Sequence, residues 1–196
     1  MQAFWNERYA QNETVYGQIP NTYFKLKIDA LQPSKILLPA EGEGRNAVYA
    51  ASIGWQVDAF DYSGNAQKKA MQLANKMGVQ INYETLEINA FNSLQQYEAI
   101  GLIYVHLSEK ERFAFHRKMV DALLPGGVLI LEAFSKAQIK NTSGGPKSLE
   151  ELYAVEELKA DFANLNILEI KEEVCTLDEG PFHKGHANVI RLFAKK

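Results

Sequence analysis

The chain of 196 residues holds a single cysteine, Cys175, so no disulfide can form within it. That usage fits a reducing compartment, and Cys175, set in an apolar stretch, reads as a small buried hydrophobe. No stretch approaches the roughly 18 apolar residues that a membrane-spanning helix needs. The opening Met1–Arg8 has no apolar core of the signal-peptide kind. We therefore expect a cytoplasmic protein with no membrane partner. Positive charge is not in excess: 21 Lys and Arg stand against 24 Asp and Glu, for a net charge of −3. That gives no broad basic surface for phosphates, and no nucleic-acid partner is expected. No repeat, low-complexity tract or interdomain linker interrupts the chain, so a single domain over residues 1–196 is expected.

What is present is alternation. Apolar runs at Ile36–Ala40, Val57–Asp61, Ile81–Ile88, Ala99–Val105 and Val128–Phe134 read as buried strands. Helical patterns fall between them. Ala66, Ala70, Leu73, Ala74 and Met77 share one face of a helix over 64–77, with Gly78 as its C-terminal cap. Ser108-Glu109-Lys110-Glu111 predicts a capping box, with Phe113, Val120, Leu123 and Leu124 on the apolar face of the helix it opens and Arg112 in solvent. Ser148–Glu151 predicts a second box. Residues 167–175 and 188–195 read as two strands joined by a short polar link, an antiparallel pair. Seven strands with helical crossovers predict an α/β fold. We expect a doubly wound, mainly parallel sheet with an antiparallel C-terminal strand.

The stretch Ile36–Ala51 carries the most information. A short apolar strand meets two glycines, Gly42 and Gly44, one residue apart, and a helical pattern follows at once. Such a turn brings backbone N–H groups close to a ligand, at a nucleotide-type site. Two ligand classes use it. Gly42-Glu43-Gly44-Arg45-Asn46-Ala47 satisfies the dinucleotide pattern, and Asp61 ends the next strand, where an acid can hold ribose hydroxyls. A pyrophosphate here would lie beside Glu41 and Glu43. Like charges about 4 Å apart repel by about 4 kcal/mol at a surface-like effective dielectric. S-adenosylmethionine carries an ammonium and a sulfonium and no phosphate, and an acid in the turn can pair with the ammonium. Glu41 is the stronger candidate for that contact; Glu43 reads mainly as a solvent-facing side chain.

Residues Ala40–Ala47 resemble motif I of the class I S-adenosylmethionine-dependent methyltransferases, and their Gly44-Arg45-Asn46 ending is similar to the tellurite-resistance and thiopurine methyltransferase-like branch. Further segments resemble that family in order. Val57–Ser63 is similar to its second strand with the ribose acid, and Leu86–Phe91 to the segment contacting adenine. Leu102–Leu107 is similar to its fourth-strand motif, and Leu124–Gly127 with Leu131–Phe134 to its fifth. Phe4–Tyr9 and Tyr16–Asn21 also resemble the branch.

The resemblance implies a methyltransferase that uses S-adenosylmethionine, releases S-adenosylhomocysteine and methylates a small-molecule acceptor, a thiol or soft metalloid. It implies cofactor contacts from Trp5, Tyr16, Ala40, Glu41, Gly42, Gly44, Arg45, Asn46, Asp61, Tyr62, Ser63, Asn89, Ala90, Phe91, Tyr104 and Val105. Residues 1–22 would form a lid-like segment in which an aromatic face attracts the sulfonium. Residues 136–196 would supply acceptor-side elements. The chain departs from the pattern at Leu38, where the family often has Asp, and at Ala40, where it has Gly. Glu41 is the candidate to replace the lost acid.

Methyl transfer needs in-line positioning more than acid–base groups. His106, ending the fourth strand, is the candidate base, against a role in the pocket wall. His183 and His186 are candidates for substrate contact. Two His without a Cys partner do not make a zinc site, and no metal is expected. Two alternatives stand beside this reading: a nicotinamide-dependent oxidoreductase, and a non-catalytic S-adenosylmethionine-binding protein.

Overall fold

The computed structural model describes residues 2–11, 14–92 and 95–196, with the side chains of the first five residues and of residue 11 outside the described set. Among the described residues, seven strands form a mainly parallel sheet with an antiparallel C-terminal pair, flanked in sequence by six helices. The chain divides into two compact units. Residues up to Phe91 with Glu179–Phe182 make the first, and Asn92–Asp178 with His183–Lys196 make the second.

Unit one opens with two helices, α1 (Gln2–Gln11) and α2 (Thr22–Ile28). Neither was read from the sequence, because the segment is polar and lacks a long apolar period. Asn21 starts α2 by accepting the Phe24 N–H at 2.9 Å. Three parallel strands follow in the order β3-β2-β1: β1 (Lys35–Pro39), β2 (Gln56–Asp61) and β3 (Asn82–Thr85). The third is shorter than the expected Ile81–Ile88, since the chain bends into a short 3-10 turn at Ile88–Ala90. Helix α3 (Arg45–Ser52) links β1 to β2, and α4 (Gly64–Met77) links β2 to β3. Ser63 caps α4 through the Ala66 N–H, and Gly78 ends it at φ +68°. Ala66, Ala70 and Ala74 form its buried face as expected, while Leu73 is half-buried and Met77, also expected on that face, is exposed.

Unit two orders its strands β4-β5-β7-β6: β4 (Tyr97–Ile103) is parallel to β5 (Leu123–Phe134), β7 (Lys184–Lys195) is antiparallel to β5, and β6 (Asn166–Asp178) is antiparallel to β7. Helix α5 (Glu109–Ala122) corrects two expectations. Its buried face is Arg112, Phe115, His116, Met119 and Val120, while Phe113 is half-exposed. The Ser108 hydroxyl donates to Glu111 instead of capping a backbone N–H. Arg112 is not solvated. Its Nε donates to Asp161 at 2.7 Å, Nη1 meets Glu157 at 3.3 Å, and the guanidinium lies over the Tyr153 ring. No helix starts at Ser148; α6 (Val155–Asp161) starts after Ala154, whose N–H donates to Glu157 at 2.9 Å, with no side-chain cap from Ala154 itself.

Asp161 also accepts from the buried His116 ring at 2.8 Å. Burial lowers the His116 pKa, and the Arg112 charge adds to this. An unpaired buried charge is strongly destabilising. Asp161→Ala is therefore expected to lower stability by about 3 kcal/mol, read from urea unfolding, because it removes the buried partner shared by Arg112 and His116 and leaves Arg112 only Glu157.

Candidate functional site

Strand β1 ends in a turn built from unusual backbone. Ala40 has φ +50°, Gly42 +63° and Gly44 +82°. Ala40 thus keeps the left-handed geometry that a glycine would take freely, at a cost of about 1 kcal/mol. Ala40→Gly is expected to raise stability by about 0.5–1 kcal/mol, measured as a shift in denaturation midpoint. The two glycines have separate steric reasons. A Cβ at Gly42 would lie 2.7 Å from the Tyr9 hydroxyl, and one at Gly44 would lie 2.6 Å from Ala70 Cβ and 2.9 Å from its Cα. Leu38 is fully buried in β1, so the place of the family's Asp has become core.

The acids of the turn do different work. Glu41 Oε1 accepts the N–H groups of Asn46 and Ala47, each at 2.8 Å, and Oε2 accepts from Asn46 Nδ2 at 3.3 Å. Its carboxylate therefore sits on the N-terminus of α3, satisfying donors that the helix cannot satisfy itself. The structure turns this side chain onto its own helix, and no ligand contact need be invoked for its geometry. Burial pushes its pKa up to about 7, against the lowering effect of these hydrogen bonds.

Glu43 corrects the solvent-facing expectation. It is buried, accepts the Val15 N–H at 2.7 Å and the Tyr16 N–H at 3.3 Å, and pairs with Lys69 at 2.9 Å. Asp61 ends β2, buried, and accepts the N–H groups of Gly42 at 3.2 Å and Ser63 at 2.9 Å. Burial pushes its pKa up to about 6. The four tyrosines Tyr9, Tyr16, Tyr62 and Tyr83 lie close enough to these carboxylates that the negative charges contribute to raising their pKa values, after burial. Tyr83 also donates to the Gly42 carbonyl at 2.6 Å. Three acids and four tyrosines thus crowd the turn, with Glu43 already paired with Lys69 and Glu41 with the start of α3.

The remaining residues expected at the cofactor are placed as follows. Arg45 reaches the Tyr16 carbonyl at 3.2 Å and Glu179 at 3.0 Å, and Asn46 accepts the Asn21 N–H at 2.9 Å. Both therefore hold the N-terminal segment. Ser63 is fully buried, capping α4 and donating to Asn6 of α1. Tyr62 is half-buried; Asn89 and Ala90 are exposed on the 3-10 turn. Phe91 is buried and stacked on Phe60 at 5.1 Å between centroids. The Trp5 side chain lies outside the described residues. Tyr9, Tyr83 and Glu179 were missed by the sequence reading.

In unit two, Tyr104 follows the carboxyl end of β4 at φ +55°. Its hydroxyl donates to the buried Glu132 at 2.7 Å, and Arg191 donates to the same carboxylate. Its ring stacks on Phe134 at 4.7 Å and meets His183 edge-on at 4.6 Å. Val105 is buried and its carbonyl accepts from Tyr153. His106 is corrected as a base. Nδ1 bonds to the Glu151 carbonyl at 2.7 Å and Nε2 accepts the Phe134 N–H at 3.2 Å. Those partners fix a neutral ring with Nδ1 protonated, and neither nitrogen is left for a substrate proton. Burial lowers its pKa to about 4. His183 and His186 are not brought together. His183 is buried against Tyr104 and Phe134, whereas His186 is exposed on β7 opposite Thr176. Among the described residues no group of three or more His, Cys, Asp or Glu is placed to hold a metal ion.

The neutral His106 has a measurable consequence. Its folded pKa lies below the usual 6.5, so the unfolded chain binds the proton first as pH falls. Its contribution is present above pH 6.5 and is lost toward pH 4, amounting to about 3 kcal/mol. The stability advantage of the wild type over His106→Gln is expected to shrink across that window in pH-dependent urea unfolding.

Comparison with known proteins places this geometry. Residues 3–195 match the family model described as "Tellurite resistance protein TehB". A curated relative from Haemophilus influenzae (strain ATCC 51907 / DSM 11121 / KW20 / Rd), "Probable S-adenosyl-L-methionine-dependent methyltransferase TehB", is 24% identical over 196 residues, covering 95% of this chain. The chain spans 65% of that relative's length. The crystal structure of TehB from Haemophilus influenzae superposes with a TM-score of 0.75 at 20% identity, covering 100% of this chain and 66% of the other. The N-methyltransferase NodS from Bradyrhizobium japonicum WM9, in complex with S-adenosyl-L-homocysteine, gives a TM-score of 0.75 at 15% identity, covering 97% and 96%.

Proposed function

The chain belongs to the TehB family, and we propose that it is an S-adenosylmethionine-dependent methyltransferase acting on a small acceptor. One observation carries the choice of ligand. The α3 N-terminus, where a dinucleotide fold seats its pyrophosphate, is taken by the Glu41 carboxylate at 2.8 Å from two backbone nitrogens. A phosphate would have to displace the half-buried Glu41 carboxylate and then sit near Asp61. The nicotinamide reading is therefore disfavoured on charge.

On the methyltransferase reading, Asp61 holds the ribose and the acids and tyrosines around the turn receive the cationic end. S-adenosylmethionine supplies the methyl group on a good leaving group. The protein's part is to orient the reactants and exclude water. No general base is assigned to His106, both of whose ring nitrogens are engaged. The acceptor we propose is a thiol or a soft metalloid, the latter in keeping with the family's description. The doubly wound arrangement, the lid role of residues 1–22, the acceptor-side role of residues 136–196 and a cytoplasmic location belong to the same reading. Among the described residues no helix is long and apolar enough to cross a membrane. The test is methyl transfer from tritium-labelled S-adenosylmethionine to tellurite, selenite and a panel of small thiols. Labelled product from at least one of these is expected; binding without transfer to any would favour the non-catalytic alternative.

The raised carboxylate pKa values give a second check. Folded Glu41 and Asp61 titrate near 7 and 6, above their ordinary ranges. A cationic, hydrogen-bond-donating ligand favours their ionised forms. Binding of S-adenosylhomocysteine near pH 6 is therefore expected to release up to about one proton. It would be read from the dependence of calorimetric enthalpy on buffer ionisation.

A further inference from the structure

The connection between β6 and β7 carries Glu179, which lies far from the turn in sequence and has no role in the reading above. Its carboxylate is the common partner of two groups. Arg45 Nη2 donates to Oε2 at 3.0 Å, and Asn21 Nδ2 donates to Oε1 at 3.1 Å. The pair is largely withdrawn from water, with side-chain exposures of 8% for Arg45 and 12% for Glu179. A charge pair so desolvated holds its geometry only when its other donors and acceptors are also met. Here Arg45 spends its second amino group on the Tyr16 carbonyl. From the opposite side, Glu43 takes the N–H groups of Val15 and Tyr16, and Asn46 takes the N–H of Asn21. Residues 15–21 are thus tied by their backbone to three consecutive polar members of the turn, Glu43, Arg45 and Asn46.

Segment 179–182 closes the arrangement. A Cβ at Gly180, φ +91°, would lie 2.8 Å from both Gly17 N and Val15 O, so backbone rests directly on backbone. Phe182 packs on the cluster of Tyr9, Val15 and Ala66, with the Arg8 guanidinium 4.7 Å from its ring centroid. Tyr9 in turn sits against Gly42.

We propose that Glu179 is a positioning residue of the cofactor site: through Arg45 and Asn21 it latches residues 15–21 onto the Gly42–Gly44 turn, and the latch sets how slowly bound cofactor leaves. The proposal rests on the methyltransferase reading. A segment held by its own backbone amides must break several bonds together before it can swing away. Weakening one shared anchor therefore speeds release more than it slows entry.

The test uses the full chain loaded with tritium-labelled S-adenosylmethionine and chased with unlabelled ligand. Glu179→Gln keeps an acceptor for Arg45 but removes the charge. It is expected to speed dissociation about tenfold, with association changed far less. Glu179→Asp, which keeps the charge, should recover part of the slow release. Arg45→Met/Glu179→Leu removes both charges and strands neither, and it should release label as fast as Glu179→Gln. The ligand-free thermal midpoint of the double variant should stay within about 3 °C of wild type, a change of about 1 kcal/mol for a chain of this size, whereas that of Glu179→Gln is expected to fall further because Arg45 keeps its charge and loses its partner. Wild-type dissociation rates in both Glu179→Gln and the double variant would overturn the latch. So would faster release that merely tracks a fall in thermal midpoint. If the wild type itself retains no label, the methyltransferase reading fails first, and the latch falls with it.

Discussion

Asp61→Ala is expected to weaken S-adenosylhomocysteine binding about a hundredfold, close to 2.7 kcal/mol. Two losses contribute. Hydrogen bonds to a charged acceptor contribute about 1.5–3 kcal/mol each, and the proposed ribose contact would supply at least one. The same carboxylate accepts the Gly42 and Ser63 N–H groups, so its removal also loosens the turn and the first residue before α4. Asp61→Asn separates the two. It retains one carbonyl acceptor for the backbone but presents an amide donor in place of the second oxygen. Calorimetric titration should rank the wild type above Asp61→Asn and Asp61→Ala. Equal affinity across all three would remove Asp61 from the binding site.

Gly44→Ala is expected to be the most damaging single change to the fold of the turn. The new methyl would lie 2.9 Å from Ala70 Cα, and backbone cannot yield as the end of a flexible side chain can. The position also has φ +82°, which disfavours any side chain. Strain of about 1–2 kcal/mol from the left-handed backbone and forced separation of α3 from α4 together predict a loss of about 3–5 kcal/mol. Urea unfolding would show it. Gly42→Ala meets only the hydroxyl end of the Tyr9 ring, so it should cost less in ligand-free stability. A Gly44→Ala protein as stable as wild type would contradict the packing described for the α3–α4 interface.

Much of the fold was legible because its strands are buried on both faces and read as plain apolar runs. Ile36–Ala40, Val57–Asp61, Ala99–Val105 and Val128–Phe134 each overlap the observed strand, and the alanine face of 64–77 is the buried face of α4. Local chemistry was less dependable. Ser108 does precede α5 but its hydroxyl turns to Glu111 three residues on, and the Ser148 box was misplaced, since the helix starts at Val155. Arg112 shows the general difficulty. It looks like an exposed first-turn charge until Asp161, 49 residues later, is brought beside it. Glu43 and Glu179 were hidden for the same reason. Their partners are backbone amides of residues 15 and 16, and the side chains of Arg45 and Asn21, and neither set carries a local sequence signal. Motif I could be found from glycine spacing and apolar period. What each acid does within it depended on the fold around it.

The turn at Ala40–Asn46 gives its helix N-terminus to Glu41, and on the proposed function it takes a cation-bearing nucleoside instead of a dinucleotide. Calorimetric titration of the wild-type chain with S-adenosylhomocysteine and, separately, with NAD and NADP tests it most directly. Saturable one-site binding of S-adenosylhomocysteine is expected, with no binding of either dinucleotide at the same concentrations. Binding of NAD or NADP as tight as that of S-adenosylhomocysteine would contradict it, as would failure of S-adenosylhomocysteine to bind at all.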